Sequence, residues 1–546
     1  MSELAIPSVQ LTTIDKSHYS PRFTSEVAAY VGYFEKGPIN KPIFITSPEE
    51  LKFTFGRGID MYRNDWYQVY NYLQYSSGIW VVRTSGRVNL NASIGTPLFF
   101  NTRDDFDLAY DSLPIQINGF SGWAKTPGGM GNLLDVSLIT NIEWEANYDI
   151  GHGYNAKDVF EIFEEFYVGL VVFRKGKVVE KFYITELELE YFRETRYLYT
   201  KFDYSNPDNI VAFYNDASPN IYGNFQPMQS LTGGITTFSL YDNLSESHDL
   251  LLNTDEYDID ILIGNEYANE LAVNVAETRR DCIAFVGLPS KFITFLKSQD
   301  DPVADVLYTQ DGKAITLASA SWSKDDHLTT NLLSDYIMTI PKSQFVHFIG
   351  NIKEQNDGFT NKKVLINLAG DLAGLKAQAS LERPWHPGAG IERGVIKNME
   401  SVYFDFSKAD KHWMFRNNVN FIENGFVATQ KTFVETLSSF DRVNVRSLFN
   451  HVEKTAAKLL RKYVFDENHR GILNSIKFEI QELLIDVKSN RGISDSYVEV
   501  NTSQSNPNEI IVNVYIKPTY VAEFIHLRLT NSGTNAFSSV LNTTIG

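Results

Sequence analysis

The order of its apolar runs constrains this chain more than any other feature. Strand-like and helix-like segments alternate near the N-terminus, stop, and resume only after residue 233. Residues 27–34 (VAAYVGYF) form an apolar run that ends at Gly37-Pro38, and residues 42–45 (PIFI) form a second. Ser47-Pro-Glu-Glu50 then opens a helix well: Ser47 caps it, Pro48 suits the first helical position, and both acids meet the positive end of the helix dipole. A second helix is predicted over 64–75, where Trp66, Val69, Tyr70 and Leu73 recur at helical spacing. Residues 79–83 (IWVVR) read as a strand. Beyond the interruption come a strand over 257–264, a helix over 265–280 and an apolar strand over 281–288. The intervening stretch, 85–233, has glycine-rich turns such as 127–132 (PGGMGN) between β-type runs at 134–139, 168–173 and 178–184. This order predicts one α/β domain interrupted by a β-rich insertion.

Both chain ends look different. Residues 8–14 (SVQLTTI) are rich in β-formers and are followed by a polar stretch, 15–21, so they read as a detached strand or arm. Amphipathic helices are predicted over 441–464 and 471–487, the second with Ile472, Ile476, Ile480, Leu483 and Leu484 inward. Two strands are predicted after them. In 509–517, Ile510, Val512, Val514 and Ile516 share a face; in 523–529, Ile525, Leu527 and Leu529 do. Residues 531–546 are polar and poor in charge.

Composition removes several classes of function. With one cysteine, Cys282, among 546 residues, neither an intrachain disulfide nor a cysteine-based zinc cluster can form. The first twenty residues lack the basic and apolar regions of a secretory signal, and no apolar run approaches the ~20 residues that span a bilayer. A formal net charge of −18 argues against a nucleic-acid polyanion as the main ligand.

Candidate chemistry is sparse. The Gly128–Gly131 loop fits neither G-x-G-x-x-G nor G-K-[ST], so it reads as a tight turn rather than a phosphate cradle. Gly151-His152-Gly153 has no second ligand at helical spacing. His386, His412 and His451 are scattered, and Cys282 sits in an apolar strand, the place for an inert thiol. Asp255, Asp258 and Asp260 lack calcium-loop spacing. They belong to a run, 242–260, with seven acids and no Lys or Arg, which reads as a solvated face. No catalytic constellation, metal site or cofactor site emerges.

One constellation stands out. On the 441–464 helix, Val445, Leu448, Phe449, Val452, Ala456, Leu459, Leu460 and Tyr463 share one face, while Arg446, Lys454, Lys458, Arg461 and Lys462 share the other. From Arg442 to Lys462 there are six Lys/Arg and a single acid, Glu453. This is either a solvated basic face or a surface that meets an acidic partner.

These pieces together resemble the tail sheath proteins of contractile-tailed bacteriophages (myoviruses). The resemblance rests on Ala28-Ala-Tyr-Val-Gly32 with Lys36-Gly-Pro38, the Ser47-Pro-Glu-Glu-Leu51 helix start and Phe55-Gly56. It continues through Tyr72-Leu-Gln-Tyr75 into Trp80-Val-Val-Arg83, then Ala124-Lys-Thr-Pro-Gly128, Gly131-Asn132, Val179-Glu180 and Leu231-Thr-Gly-Gly234. Trp385 to Gly394 (WHPGAGIERG) is similar to the family's W-x-P-A-G-x-x-R-G stretch, with His386 and Gly388 as departures. Phe440-Asp-Arg-Val-Asn-Val-Arg446 with Leu448-Phe449, then Val464-Phe-Asp-Glu-Asn468, resemble the signature that opens and closes the basic helix. Many short motifs in one order are specific where each alone is not.

The resemblance implies an α+β multidomain tail-sheath fold. Its parts would be an N-terminal arm (1–22), an α/β domain in two pieces (23–86 and 230–377), an inserted β-rich outer domain (87–229) and a C-terminal sheath core (378–546) that joins both chain ends. It implies a structural subunit, not an enzyme, that needs no cofactor. Such subunits stack as hexameric rings in a helical polymer around a tail tube protein, between baseplate and tail terminator proteins. They are assembled in the host cytoplasm, contact no nucleic acid directly and insert into no membrane. Contraction of the virion tail sheath would drive the tube through the host envelope. In that setting Arg446, Lys454, Lys458, Arg461 and Lys462 would face the tube. Strands would be exchanged between subunits through Val9, Leu11 and Ile14 at one end and Ile510, Val512, Val514, Ile525, Leu527 and Leu529 at the other. A phage-derived injection device or R-type bacteriocin fits the same residues. A cytosolic α/β enzyme would need catalytic groups at the strand ends, which the sequence does not supply.

Overall fold

The computed structural model describes residues 26–58, 62–86, 88–112, 119–160, 166–185, 197–199, 210–215, 226–236, 242–266, 268–289, 306–308, 314–316, 336–403, 406–435, 438–521 and 523. The described residues form two compact units, divided in the chain after Lys454.

The first unit is organised by a six-stranded sheet, in the order Ile43–Ile45, Ile79–Arg83, Ala28–Gly32, Ile261–Ile263, Ile283–Gly287, Val346–Ile349. Only the first pair is antiparallel. Ala28–Gly32 pairs with Ile79–Arg83 on one side and with Ile261–Ile263 on the other. Segments from before and after the β-rich stretch therefore share one sheet. Both faces are covered, which is why the strands are apolar without alternation. One face carries Ala29, Val31, Val82, Leu262, Ala284 and Val286 beneath the helix Asn269–Arg279. The other carries Ala28, Tyr30, Val81, Ile261, Ile263 and Phe285 against the helices Arg63–Leu73 and Ala369–Ser380. Those two helices touch closely: a Cβ on Gly370 would lie 2.2 Å from the Gln68 carbonyl oxygen.

Local signals act as the sequence suggests. Ser47 Oγ accepts the Glu50 amide, with Pro48 opening the helix Pro48–Phe55. The helix predicted from residue 265 starts later, at Asn269; the Asn265 side-chain Nδ2 instead ties this turn down, donating to Val31 O at 3.1 Å and Asp65 Oδ1 at 2.9 Å.

Between the two halves of the sheet lie antiparallel strands. One four-stranded sheet runs Lys177–Thr185, Phe166–Arg174, Leu134–Thr140, Gln226–Ser230; another runs Tyr197–Tyr199, Ile210–Asn215, Gly119–Ala124, Ser93–Ile94. Arg83, at the end of its strand, is buried and ties the two regions together. Its guanidinium donates to Phe34 O (3.1 Å), Gly37 O (2.6 Å) and Pro127 O (3.0 Å). The glycine-rich loop is thus a turn held by an arginine, with Gly128 at φ +117°.

In the second unit the helix Arg470–Ser489 packs on a hairpin of Ile493–Thr502 and Ile510–Pro518. Ile476, Ile480, Leu484 and Val487 are buried with Ile493 and Val498. Exposure alternates along Ile510–Pro518, with Ile510, Val512, Val514 and Ile516 on the more buried side. The strand Ile493–Thr502 was not expected: Ser494, Asp495 and Ser496 interrupt its apolar pattern, and packing against the helix overrides them. The predicted arm, 8–14, and the predicted strand and tail from residue 524 onward lie outside the described residues. No helix among the described residues is long and apolar enough to cross a membrane.

Candidate partner interface

The basic helix spans Val443–Leu460 and continues as a 3-10 turn, Arg461–Tyr463. Its apolar face is as expected, with Val445, Leu448 and Val452 buried. Its basic face is not uniform, and this corrects the sequence reading.

Arg446 is buried. Its guanidinium lies 4.7 Å from the Phe345 ring and 4.8 Å from the Phe440 ring, so aromatic faces cover the cation. It donates to Asn450 Oδ1 at 2.8 Å, Gln344 Oε1 at 3.3 Å and Glu453 Oε1 at 2.9 Å. Asn444, Ser447 and Asn450 are buried too. Helical spacing assigned Arg446 to a wet face because it counts only the helix itself; Phe345, in the turn just before the strand Val346–Ile349, and the preceding Phe440 cover that side.

Lys454 is also engaged within its own unit. Its ammonium lies 2.8 Å from Asp260 Oδ1, 2.9 Å from Asp258 Oδ1 and 3.7 Å from Asp281 Oδ2, and donates to Ile259 O at 2.7 Å. Burial opposes the charge, but Asp260, Asp281 and Asp258 outweigh it and hold the ammonium well above the ordinary lysine range. Asp260 also accepts the Val27 amide at 3.1 Å. One carboxylate therefore secures both the basic helix and the start of the first described strand. Part of the acidic run is thus a built counter-charge, not a solvated face. The signal was present in the sequence: an acidic run without a cation and a basic helix almost without acids are complementary.

The far end of the helix is different. Lys458, Arg461 and Lys462 are exposed. Lys462 pairs with Glu479, which also accepts Tyr463 Oη at 2.7 Å. Of the five cations singled out from the sequence, these three remain at the surface. Of the strand residues singled out, Ile510, Val512 and Val514 pair within the chain with Thr502, Val500 and Val498. Val9, Leu11, Ile14, Ile525, Leu527 and Leu529 lie outside the described residues.

The remaining candidates have structural surroundings. Cys282 is buried, and burial with Asp281 beside it pushes its thiol up to about 12. His152 lies 2.9 Å from Asp135, His386 sits 2.9 Å from Glu382, and the His451 ring packs on Trp385. His412 is exposed. Among the described residues no group of His, Cys, Asp and Glu is arranged to hold a metal ion.

Known proteins resemble this chain in sequence and fold. Residues 435–530, which include the whole basic helix, match the family model of the phage tail sheath C-terminal domain. The tail sheath protein of Vibrio phage KVP40 is 28% identical over 298 residues, 50% of this chain and 42% of that protein. The chain thus matches less than half the length of that relative. The tail sheath protein of Enterobacteria phage T4 is 22% identical, over 84% of this chain and 72% of its own. The fold agrees with the crystal structure of a sheath tail protein from Listeria innocua, at a TM-score of 0.55 and 10% identity over 91% of this chain and 92% of that one. Residues 435–530 thus match the phage tail sheath C-terminal domain, and the chain as a whole is similar to the tail sheath proteins of contractile-tailed bacteriophages.

Proposed function

We propose that this chain is the repeating subunit of a contractile tail sheath, and that it acts by assembly rather than catalysis. It polymerises as stacked hexameric rings around a tail tube protein, in a virion tail bounded by baseplate and terminator proteins. Shortening of the sheath drives the tube through the host envelope. The observation that carries this reading is the sheath fold along nearly the whole chain, together with the sheath family match at residues 435–530. A heterologous interface that does not close builds a helical polymer of this kind.

Within that polymer, the exposed Lys458, Arg461 and Lys462 face the tube. Arg446 and Lys454 hold the helix in place instead. Ile510, Val512 and Val514 use one strand edge for their own hairpin. The outer edges of this two-stranded sheet have no strand partner among the described residues, so a neighbour's arm can add there. Residues 8–14 supply that arm. Negative-stain imaging of the purified protein tests the reading. Hollow tubes or rings are expected, and a compact monomer under all conditions would sink it. Deleting residues 1–14 is expected to leave a folded chain that no longer polymerises; ordered tubes from the truncated chain would remove arm exchange.

A further inference from the structure

The chain enters its central sheet at Glu26 and Val27, and three elements hold these two residues. The Lys376 ammonium, buried on the helix Ala369–Ser380, lies 2.6 Å from Glu26 Oε1 and donates to Pro384 O at 2.8 Å. Tyr72 Oη, from the helix Arg63–Leu73, donates to Glu26 O at 3.0 Å. Asp260 accepts the Val27 amide through Oδ2 at 3.1 Å and returns its own amide to Val27 O at 2.9 Å. Two of these holds lead on to the basic helix. Asp260 binds Lys454 through its other oxygen, Oδ1. Pro384, held by Lys376, is followed by Trp385, whose buried ring packs 5.9 Å from the His451 ring, three residues before Lys454. The contacts therefore close a ring that runs from Val27 through Asp260 to Lys454, along the helix to His451, and back through Trp385, Pro384 and Lys376 to Glu26. Trp385, which opens the WHPGAGIERG stretch, has its place in that ring.

We propose that this ring is a coupling device: it makes the entry to the first strand and the Arg446–Lys454 part of the basic helix open and close as one cooperative unit, so that a displacement of residues 26–27 is passed to the helix. Two features favour coupling over a set of independent contacts. The Lys376 and Lys454 side chains are only 3% and 16% exposed, so a carboxylate that moves away leaves a cation short of a partner rather than returned to water. Asp260 divides its two oxygens between the two ends of the ring, so a shift of that carboxylate towards one end weakens its bond at the other. Linkage makes the effect reciprocal: whatever loosens the helix loosens residues 26–27 by the same factor. In assembly the device rests on the arm-exchange reading above. A neighbour that holds residues 8–14 would pull on residues 26–27, and the ring would carry that load to the basic helix. The coupling itself is a property of the single chain.

The test is hydrogen exchange on the full chain, unassembled, read by mass spectrometry of its peptides. Lys376→Met removes the ammonium that binds Glu26 and Pro384 and leaves Asp260 and Lys454 in place. Exchange at 446–454 is nevertheless expected to rise about fivefold or more, the scale of a coupling between two sites. The helix Pro48–Phe55, in the same unit but outside the ring, should keep its wild-type rates. Lys454→Met should raise exchange at 27–30 and 385–386 by a similar factor. Glu26→Gln keeps the length of the side chain and removes only its charge; it should give the pattern of Lys376→Met more weakly, and it serves if the fold does not tolerate Lys376→Met. If these variants loosen only residues 26–30 and 385–386, the contacts are independent and the proposal is wrong. If they loosen the helix Pro48–Phe55 as much as 446–454, the ring is ordinary core and the proposal falls too. Arm exchange is tested separately by deleting residues 1–14: ordered tubes from the truncated chain would remove the role in assembly and leave the coupling standing.

Discussion

The two ends of the basic helix carry the same kinds of side chain in opposite roles. Near its start, Arg446 and Lys454 are enclosed by aromatic rings and carboxylates, and nearly every polar atom they carry has a named partner. Past Lys454, Lys458 and Arg461 stand at the surface, and the apolar residue that follows them, Phe465, is fully exposed. Charge alone does not distinguish the two sets. What distinguishes them is whether another element covers the helix. Enclosed cations hold the fold together, and exposed ones stand where a second protein can reach them.

If that contrast is right, the largest effect comes from Lys454→Glu. It would place a fourth carboxylate among Asp258, Asp260 and Asp281. Breaking a fully buried ion pair costs about 3–5 kcal/mol; the carboxylates around Lys454 are partly exposed, so charge reversal should cost about 3 kcal/mol, the lower end of that range. Lys454→Met, which only removes the charge, should cost about 1–2 kcal/mol. Urea unfolding followed by tryptophan fluorescence measures both. A Lys454→Glu protein that unfolds like wild type would erase the distinction between the two ends.

Acid should loosen the enclosed side next. His347 lies on the strand Val346–Ile349, close in sequence to the Phe345 and Gln344 that hold Arg446, and its Nδ1 is 3.1 Å from Lys431 O. His248 lies in the helix Asp242–Asp249, with Nδ1 2.7 Å from Leu244 O. Burial pushes both down to about 4. The folded values lie below the unfolded value, so the stability is fully present above about pH 6.5. It is lost as pH falls towards 4, because the unfolded chain takes up the protons first. At about 1.4 kcal/mol per pH unit, each histidine accounts for about 3 kcal/mol across that window. His347→Gln should flatten the pH dependence between 6.5 and 4; an unchanged profile would mean that His347 is protonated in the fold.

A smaller effect is expected from Arg446→Lys. It keeps the charge but loses the planar fork that reaches Asn450, Gln344 and Glu453 while lying against Phe345 and Phe440. The expected loss is about 1–2 kcal/mol, the scale of a desolvated cation–π contact and one hydrogen bond. A loss below about 0.5 kcal/mol would show that the stem, not the guanidinium, is what packs there.

These differences also mark what the sequence made legible. The interrupted α/β sheet was readable because strands buried on both faces must be apolar throughout, and Ala28–Gly32, Ile79–Arg83 and Ile283–Gly287 are. The helix start at Ser47 was readable because a cap is a local event. The enclosure of Arg446 was not, since it depends on Phe345, some hundred positions away. The same holds for Lys454, whose carboxylates arrive from Asp258, Asp260 and Asp281. The strand Ile493–Thr502 was hidden because its pattern is broken by polar residues and rescued by the helix above it. Phe465 was visible only as one letter of a motif; its exposure and left-handed backbone are properties of the fold.

The smallest stability effect should accompany a large functional one, and this sharpens the contrast most. Lys458→Glu with Arg461→Glu alters two exposed side chains, and surface substitutions of this kind usually change stability by no more than about 0.5 kcal/mol each. Urea midpoints should therefore match wild type closely, and the subunit should remain competent to polymerise on its own. Co-assembly with tubes should nevertheless fail, and binding by the unaltered chain should weaken as salt is raised, because exposed charges are screened beyond about 8–10 Å. A double variant that is as stable as wild type and still wraps tubes normally would show that the exposed end is a solvated face. A variant that loses stability by several kcal/mol would show that this end is as structural as the first, and the division of the helix into a holding half and a binding half would fail.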